Sequence, residues 1–581
     1  MARTVLPFSI ENKIDEHNME NLYGDLYKSL PPTFQKVTES SPFLLDYLRM
    51  LPIAQVGMPQ YYPELQRKLG DNKEPNIIYA TEHNDIFIHI LADSRDSRNT
   101  YIPLEPTLTL DLSPLIDEVE DKLLDLGAKL ARIENVEEKG KRLIEYIEKV
   151  TTLNNEPAPG LFDKYLGFLR KGGSRLTKIK VTPRELEGLR YLFPRDKVGL
   201  GVLEPLIVDP YIEDISCSGL GHVFVEHKIF KSLKSTLVFS SLEELDEFVL
   251  WLAERVKKPV SYKDPIADAT LPDGSRINIV FGRDVSQRGS NFSIRKFSGT
   301  PISIFEIVDF GTVTYQMLAY LSLVIGNDMN VFVSGETASG KTTLLNAITT
   351  FIHPLAKVIT IEDTPELQVP HKNWIREVVQ TTKMEDDSGA VTMFDLLKAA
   401  LRQRPDEILI GEIRGPEGNI AFQAMQTGHS VMATFHAATV EKLIQRITGK
   451  PISVPKTYVD NLNVVILTSS VKLPNGKKGR RITSISEIVG YDPVYDSFTF
   501  TEAFHWDEST DTFEFTGYMT SYLLENKIAP KLGIPSHKKR RIYAELERRA
   551  IILEKLHKEQ GISGFYEILD VLSKAQREGL F

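Results

Sequence analysis

The sequence has almost no cysteine: Cys217 is the single thiol in 581 residues. One thiol forms no intramolecular disulfide and cannot build a zinc site from several cysteines. That is compatible with a reducing compartment without demanding one. Long apolar runs are also missing. No stretch reaches the roughly 18 apolar residues that a membrane-crossing helix needs. The nearest candidate, 317–333, is interrupted by Gly326-Asn327-Asp328 and by Asn330, and reads as a buried helix, a turn and a buried strand. The first eight residues are not followed by an apolar core, so no signal peptide is expected. Any membrane contact is therefore expected to be peripheral. An excess of positive charge is absent too. The formal net charge is −10, which argues against binding a phosphate backbone over the whole surface. Internal repeats and low-complexity tracts are absent. What is present, 42% apolar and 25% charged residues, is the composition of a globular protein. The length suggests about four domains at roughly 150 residues each.

Along the chain, residues 1–110 mix short elements with prolines, and 76–79 and 85–90 read as strands of a small α+β extension. A helical region follows over 111–195. Ser113-Pro114 supplies an N-cap and a first-turn proline, and Leu115, Val119, Leu123 and Leu126 share a face. A second helix is expected over 136–150, a loop over 151–160, and a third helix over 183–193 that Arg195-Asp196-Lys197 breaks. Residues 196–298 read as a compact α+β module whose helix opens on the capping box Ser241-x-x-Glu244. From 299 to 510, helices alternate with short buried strands, the pattern of a parallel sheet flanked by helices. Residues 511–581 end in a helical segment. Its basic run, Lys538-Lys539-Arg540-Arg541, suits an anionic membrane surface, an acidic partner loop or a solvated helix start.

Chemistry concentrates in the 299–510 region. The apolar strand at 331–334 runs into Gly335-Glu336-Thr337-Ala338-Ser339-Gly340-Lys341-Thr342-Thr343, followed by Leu344, Leu345 and Ile348 at helical spacing. Strand, glycine loop and helix in that order form a phosphate-binding loop. The glycines let successive N–H groups face one anion, and the helix N-terminus adds favourable partial charge. Lys341 is expected to reach the β- and γ-phosphates of ATP, and the Thr342 hydroxyl to ligate Mg²⁺. A second strand, 357–361, ends in Glu362-Asp363-Thr364-Pro365-Glu366. Strand ends face the ligand in open parallel sheets, so a carboxylate there is placed to orient or deprotonate water. A third strand ends in Gly411-Glu412 after a helix capped by Thr392-x-x-Asp395, with Glu412 the candidate for the Mg²⁺ shell. His429 and His436 flank a fourth strand, and His436, at its C-terminal end, is placed to hydrogen-bond a γ-phosphate.

These four elements, GETASGKTT, ITIEDTPEL, LRQRPDEILIGEIRGPE and TGHSVMATFHAAT, resemble in order and spacing the Walker A, Asp box, Walker B and His box of the type II/type IV secretion ATPase family. That family includes pilus motors and the motor of the archaeal flagellum. The resemblance covers about 190–500. It implies a RecA-like ATPase domain at 299–510, preceded by a PAS-like domain at 196–298 and joined to it by a mobile linker near 296–301. It implies homo-hexameric rings in the cytoplasm, peripheral at the cytoplasmic face of the membrane against a polytopic inner-membrane platform protein, with ATP and Mg²⁺ as cofactors and no nucleic acid. It maps the catalytic carboxylate to Glu366, the Walker B glutamate to Glu412 and the box histidines to His429 and His436. Family members also bring arginines from the PAS-like domain to the γ-phosphate. Arg276 and Arg295 are the matching choices, with Arg283, Arg288 and Arg414 as competitors. The single cysteine departs from the four-cysteine zinc module of many bacterial members. The strings around 294–297 and 402–406 look more like the archaeal and type IV secretion branches. The expected function is an ATPase that powers a type IV pilus-like filament or protein secretion. The archaeal flagellum motor is the alternative, and a nucleic-acid motor or a non-enzymatic scaffold stands behind it.

Overall fold

The computed structural model describes residues 3–8, 26–65, 69–70, 72–81, 85–93, 96–130, 133, 136–153, 178–297, 301–379, 391–474, 476, 478–579 and 581. Most of the loop expected at 151–160 and the middle of the linker expected near 296–301 lie outside the described residues. The chain divides into two compact units, Met1–Ser298 and Gly299–Phe581.

The first unit is built on one long sheet. Its main strands are β1 (Gln60–Tyr62), β2 (Asn76–Ala80), β3 (Phe87–Leu91), β4 (Thr100–Leu104), β5 (Ile212–Cys217), β6 (Gly221–His227), β7 (Lys231–Phe239), β8 (Ile266–Thr270), β9 (Arg276–Val280) and β10 (Asn291–Arg295). They lie in the order β8-β9-β10-β5-β6-β7-β4-β3-β2-β1. The strands of the N-terminal stretch thus do not form a small sheet of their own. They join the others through parallel pairing of β7 with β4, where Lys234 faces Thr100 and Ser235 faces Tyr101. Burial gives the reason. Both β3 and β4 are buried at every position, and strands apolar on both faces need cover on both. Tyr79, Ile88, Ile90 and Tyr101 enter the same core as β5–β7. Ile78, Phe87, Leu91 and Ile102 pack with Phe34, Leu44 and Leu48 of helices α1 (Pro32–Ser40) and α2 (Phe43–Met50).

Helices α3 (Ser113–Leu130) and α4 (Val136–Val150) follow the expected spans. Helix α5 (Pro183–Lys197) runs past its expected stop. A capping box starts it: Glu185 N donates to Thr182 Oγ1 at 3.2 Å, and Thr182 N donates to Glu185 Oε2 at 2.9 Å. Arg195, read as a breaker, instead holds the last turn by reaching Glu105 at 2.8 Å. Helix α6 (Leu242–Arg255) lays Leu245, Val249 and Leu252 on the sheet.

The second unit is a parallel α/β sheet with an antiparallel extension. Its strands are β11 (Val331–Gly335), β12 (Val358–Glu362), β13 (Trp374–Val378), β14 (Glu407–Ile410), β15 (Ser430–Phe435), β16 (Val464–Lys472), β17 (Lys478–Asp492), β18 (Ser497–Asp507) and β19 (Thr512–Glu514). The order is β13-β12-β14-β15-β11-β16-β17-β18-β19. The first six are parallel, and β17 to β19 add on antiparallel. Side chains alternate between two cores, as strand geometry requires. Val331, Val333, Leu409, Met432 and Ile466 share one core with helices α7 (Tyr315–Ile325), α8 (Lys341–Ile348), α12 (Ile542–Lys558) and α13 (Phe565–Arg577). Phe332, Ile408, Ile410, Val431 and Val465 share the other with α9 (Met393–Arg402), α10 (Glu417–Gln426) and α11 (Val440–Thr448). This is the RecA-like arrangement expected. After β11 the chain crosses to β12, beyond β15 and β14. After β15 it crosses the other way, to β16. Connections that diverge between neighbouring strands open a crevice at their carboxyl ends, and that is where the glycine loop lies.

Candidate nucleotide-binding and active site

Strand β11 is buried throughout and delivers the loop at Gly335. A Cβ there would lie 2.2 Å from the Thr468 carbonyl oxygen, so only glycine permits so close an approach of β16. The loop then turns through Ala338 (φ 61°) and Gly340 (φ 92°). Left-handed residues in such a turn point successive N–H groups into one concavity. Alanine adopts that conformation at a cost, and Arg480 braces it by donating from Nε to the Ala338 carbonyl at 3.2 Å. On the other side of the loop, Ser339 Oγ meets Thr468 Oγ1 at 2.9 Å. Helix α8 begins at Lys341 with no side-chain cap and no acidic residue in its first turn. Its leading N–H groups therefore suit an anion. The donor set fits a polyphosphate: an uncapped helix start, Lys341, and the half-buried hydroxyls of Thr342 and Thr343.

Lys341 Nζ donates to the carbonyls of Gly335 and Glu336 at 3.0 and 2.9 Å. Burial lowers its pKa below the ordinary lysine value, with Glu412 and Glu366 opposing and Arg414 adding to the fall. Both sequence-predicted carboxylates thus act electrostatically on the loop lysine. Glu412 stands just past β14. Burial would raise its pKa, but the Arg414 guanidinium, 2.7 Å away, together with Lys341 and His436, holds it below the ordinary value. An ionised carboxylate close to the loop lysine suits the shell of a divalent cation, so Thr342 and Glu412 fit the expected Mg²⁺.

Glu366 is exposed, and its backbone is held from two sides. Glu362 Oε1 accepts the N–H groups of Glu366 and Leu367 at 2.7 and 2.6 Å, and Asn346 Nδ2 on α8 donates to the Glu366 carbonyl at 3.1 Å. Glu362 is 1% exposed, and burial pushes its carboxyl up to about 7 against those hydrogen bonds and Arg376. The Asp-box carboxylates therefore divide their roles: Glu362 anchors the turn, and Glu366 projects from it. His436 Nε2 lies 3.1 Å from Thr337 Oγ1 in the glycine loop, and Arg446 donates to the His436 carbonyl. His429 is at the other end of β15, roughly 23 Å away at about 3.3 Å per residue, where its Nδ1 meets Thr427 Oγ1 at 3.1 Å.

Arg276 and Arg295 belong to the first unit. They are direct cross-strand partners on β9 and β10, so both project from one face. Their nearest acidic partners are Asp268 at 4.0 Å and Asp214 at 3.2 Å, and both guanidiniums stay exposed. Like charges placed opposite each other disfavour pairing of the strands, and here the acidic neighbours offset the doublet, with Asp214 on β5 directly opposite Arg295. Arg283 and Arg288 lie on the loop joining the far ends of the same strands. In the C-terminal basic run, Lys539 and Arg540 lie 2.9 and 4.0 Å from Glu525, which satisfies part of that charge within the fold.

Sequence reasoning missed three site elements. Arg480 has no motif and approaches the loop from a strand far along the chain. Glu362 looks like one acid among several until its burial is known. Glu417 was only part of a matched string, yet its Oε1 accepts the N–H groups of Arg414 and Gly415 at 2.7 and 2.6 Å and shapes the turn that carries Arg414.

Residues 196–471 match the family described as Type II/IV secretion system protein. An uncharacterized protein of Methanocaldococcus jannaschii is 41% identical over 550 residues, which span 94% of this chain and 97% of that protein. The type IV secretion system protein VirB11 of Bartonella quintana is 30% identical over 242 residues, 36% of this chain and 67% of its own length. Among solved structures, the VirB11 ATPase from the Brucella suis type IV secretion system in complex with sulphate is 26% identical, covering 49% of this chain and 92% of that one at a TM-score of 0.25. Matched by that family over residues 196–471 and 30% identical to a VirB11 protein of which it covers 67%, the chain belongs to the type II/IV secretion system protein family.

Proposed function

We propose that the protein is an ATPase that works as a homo-hexameric ring in the cytoplasm, peripheral to the membrane beneath a polytopic platform protein, and powers a type IV pilus-like filament or protein secretion. The observation that carries the catalytic part is the convergence on one loop: Lys341, Glu366, Glu412 and His436 all act on residues 335–343. In this reading the loop N–H groups and Lys341 bind the phosphates. Thr342 and Glu412 would hold Mg²⁺, which would supply positive charge to the β- and γ-phosphates. Glu366 orients a water for in-line attack on the γ-phosphorus and accepts its proton, while His436 hydrogen-bonds the γ-phosphoryl oxygens. Arg276 and Arg295 are, from the family resemblance, the candidates for further positive charge at the γ-phosphate. Family membership supports the secretion role, and the archaeal relatives leave the flagellum motor as the alternative system.

The test is Lys341→Ala in the full chain. ATP turnover measured as phosphate release falls at least about 100-fold, with the circular dichroism spectrum unchanged. Undiminished turnover in that variant sinks the assignment.

A further inference from the structure

The loop has two flanks. Thr337 carries His436, which together with Lys341 acts electrostatically on Glu412. Ala338 and Gly340 carry Arg480, whose Nε holds the Ala338 carbonyl and whose Cδ would lie 3.2 Å from a Cβ at Gly340. No carboxylate pairs with Arg480 among the described residues, and its side chain is exposed. Its neighbour Arg481 is the opposite case. Arg481 is 5% exposed and fully used: Nε and one terminal nitrogen grip Asp511 at 2.7 and 2.8 Å, and the other terminal nitrogen donates to the Phe310 carbonyl at 2.9 Å. Alternation along β17 thus sends one arginine into the core and leaves the other over the phosphate loop. An arginine tethered through Nε keeps its two terminal nitrogens and its charge for an outside partner. At the rim of a loop built for phosphates, that partner is an anion.

We propose that Arg480 is a nucleotide-contacting residue that binds the phosphates ADP and ATP share, on the flank of the loop away from His436 and Glu412. This rests on the nucleotide reading of the loop. Because the contact is to phosphates present before and after hydrolysis, it strengthens binding uniformly and leaves the chemical step alone. Arg480 therefore sets affinity for nucleotide and retention of ADP, a role distinct from that proposed for Arg276 and Arg295.

Glutamine separates this role from that of a strut. Gln Nε2 stands the same number of bonds from the backbone as Arg Nε, so Arg480→Gln keeps a donor for the Ala338 carbonyl and removes only the charged end. Affinities of the full-length wild type, Arg480→Gln, Arg480→Ala and Lys341→Ala for ADP and for a non-hydrolysable ATP analogue, with Mg²⁺, are measured by calorimetry, alongside steady-state turnover. Arg480→Gln weakens both nucleotides by about tenfold or more, nearly as much as Arg480→Ala, with an unchanged ADP-to-ATP ratio and a raised KM. Wild-type affinity in Arg480→Gln makes the side chain a strut and overturns the proposal, as does a loss confined to the ATP analogue. If the wild type itself binds no ADP, the nucleotide reading falls with it. If Lys341→Ala loses ADP while Arg480→Gln keeps it, only the Arg480 inference falls.

Discussion

The two ends of the parallel sheet in the second unit carry the same residue types in different settings. At the start of β14 stands Glu407, and just past its end stands Glu412. Just before β15 stands His429, and just past its end stands His436. Glu407 is 3% exposed, and burial pushes its carboxyl up to about 8 against the neighbouring Ser430 hydroxyl. Glu412, on the same strand, is held below the ordinary value by Arg414, Lys341 and His436 in spite of its burial. One end of the strand therefore holds a neutral acid and the other an ionised one. The difference lies in what each end meets: cations, a glycine loop and a helix N-terminus at one, packed core at the other. Residue type alone does not make the site; the strand end does.

The largest effect expected along this axis separates the glutamates. Glu366→Gln and Glu412→Gln each lower kcat by about 10²–10³, the range for removing a positioned base or a metal-shell carboxylate. Glu407→Gln stays within about threefold of wild type. The check is steady-state phosphate release at saturating ATP and Mg²⁺. Equal losses at 407 and 412 would erase the distinction between the two ends. A smaller effect separates the histidines. His436→Ala lowers kcat/KM about tenfold, the value of one hydrogen bond to a charged group, while His429→Ala changes it less than about twofold. A loss at His429 as large as at His436 would show that the opposite end also serves turnover.

Much of this was legible in the sequence because local rules carry it. The glycine loop, the strands running into it and the capping box at Thr392 each lie within a short window, and the cap is present, with Asp395 N donating to Thr392 Oγ1 at 3.3 Å. The positions of Glu366, Glu412 and His436 at strand ends follow from reading where each apolar run stops. What stayed hidden depends on pairing between distant segments. Nothing in the run at 100–104 says that it lies parallel to β7, because a parallel partner is chosen by two-sided burial rather than by a turn. Arg480 is as exposed in pattern as any surface arginine, and only the antiparallel register of β17 on β16, with Arg480 opposite Ser470, sets it over the loop. Glu362 belongs to the same class, since an acid that anchors a turn and an acid that faces water look alike before burial is known. The arginine doublet at 276 and 295 rests on resemblance alone, since each guanidinium also has an acidic neighbour, Asp268 and Asp214, within the first unit.

The last contrast is thermodynamic and concerns Glu407 alone. Burial pushes its carboxyl up to about 8 from an ordinary value of 4.5, with the Ser430 hydroxyl opposing and Asp328 and Asp406 adding to the rise. Below about pH 4.5 both folded and unfolded chains hold the proton, and the group costs no stability. Between there and about 8 the unfolded chain has released the proton while the folded one has not. Stability therefore falls as pH rises, by up to about 1.4 kcal/mol per unit. Above 8 the fold holds a buried charge, and the loss levels off. Glutamine in its place does not titrate. The denaturant midpoints of wild type and Glu407→Gln should therefore agree at pH 5, separate through neutrality and differ most at pH 9. By then the variant is more stable by a few kcal/mol, with its ATPase activity retained. Glu412→Gln should not reproduce this divergence, because the pKa of Glu412 is lowered rather than raised. A Glu407→Gln difference that stays constant from pH 5 to pH 9 would mean that the two ends of the strand do not differ in charge state after all.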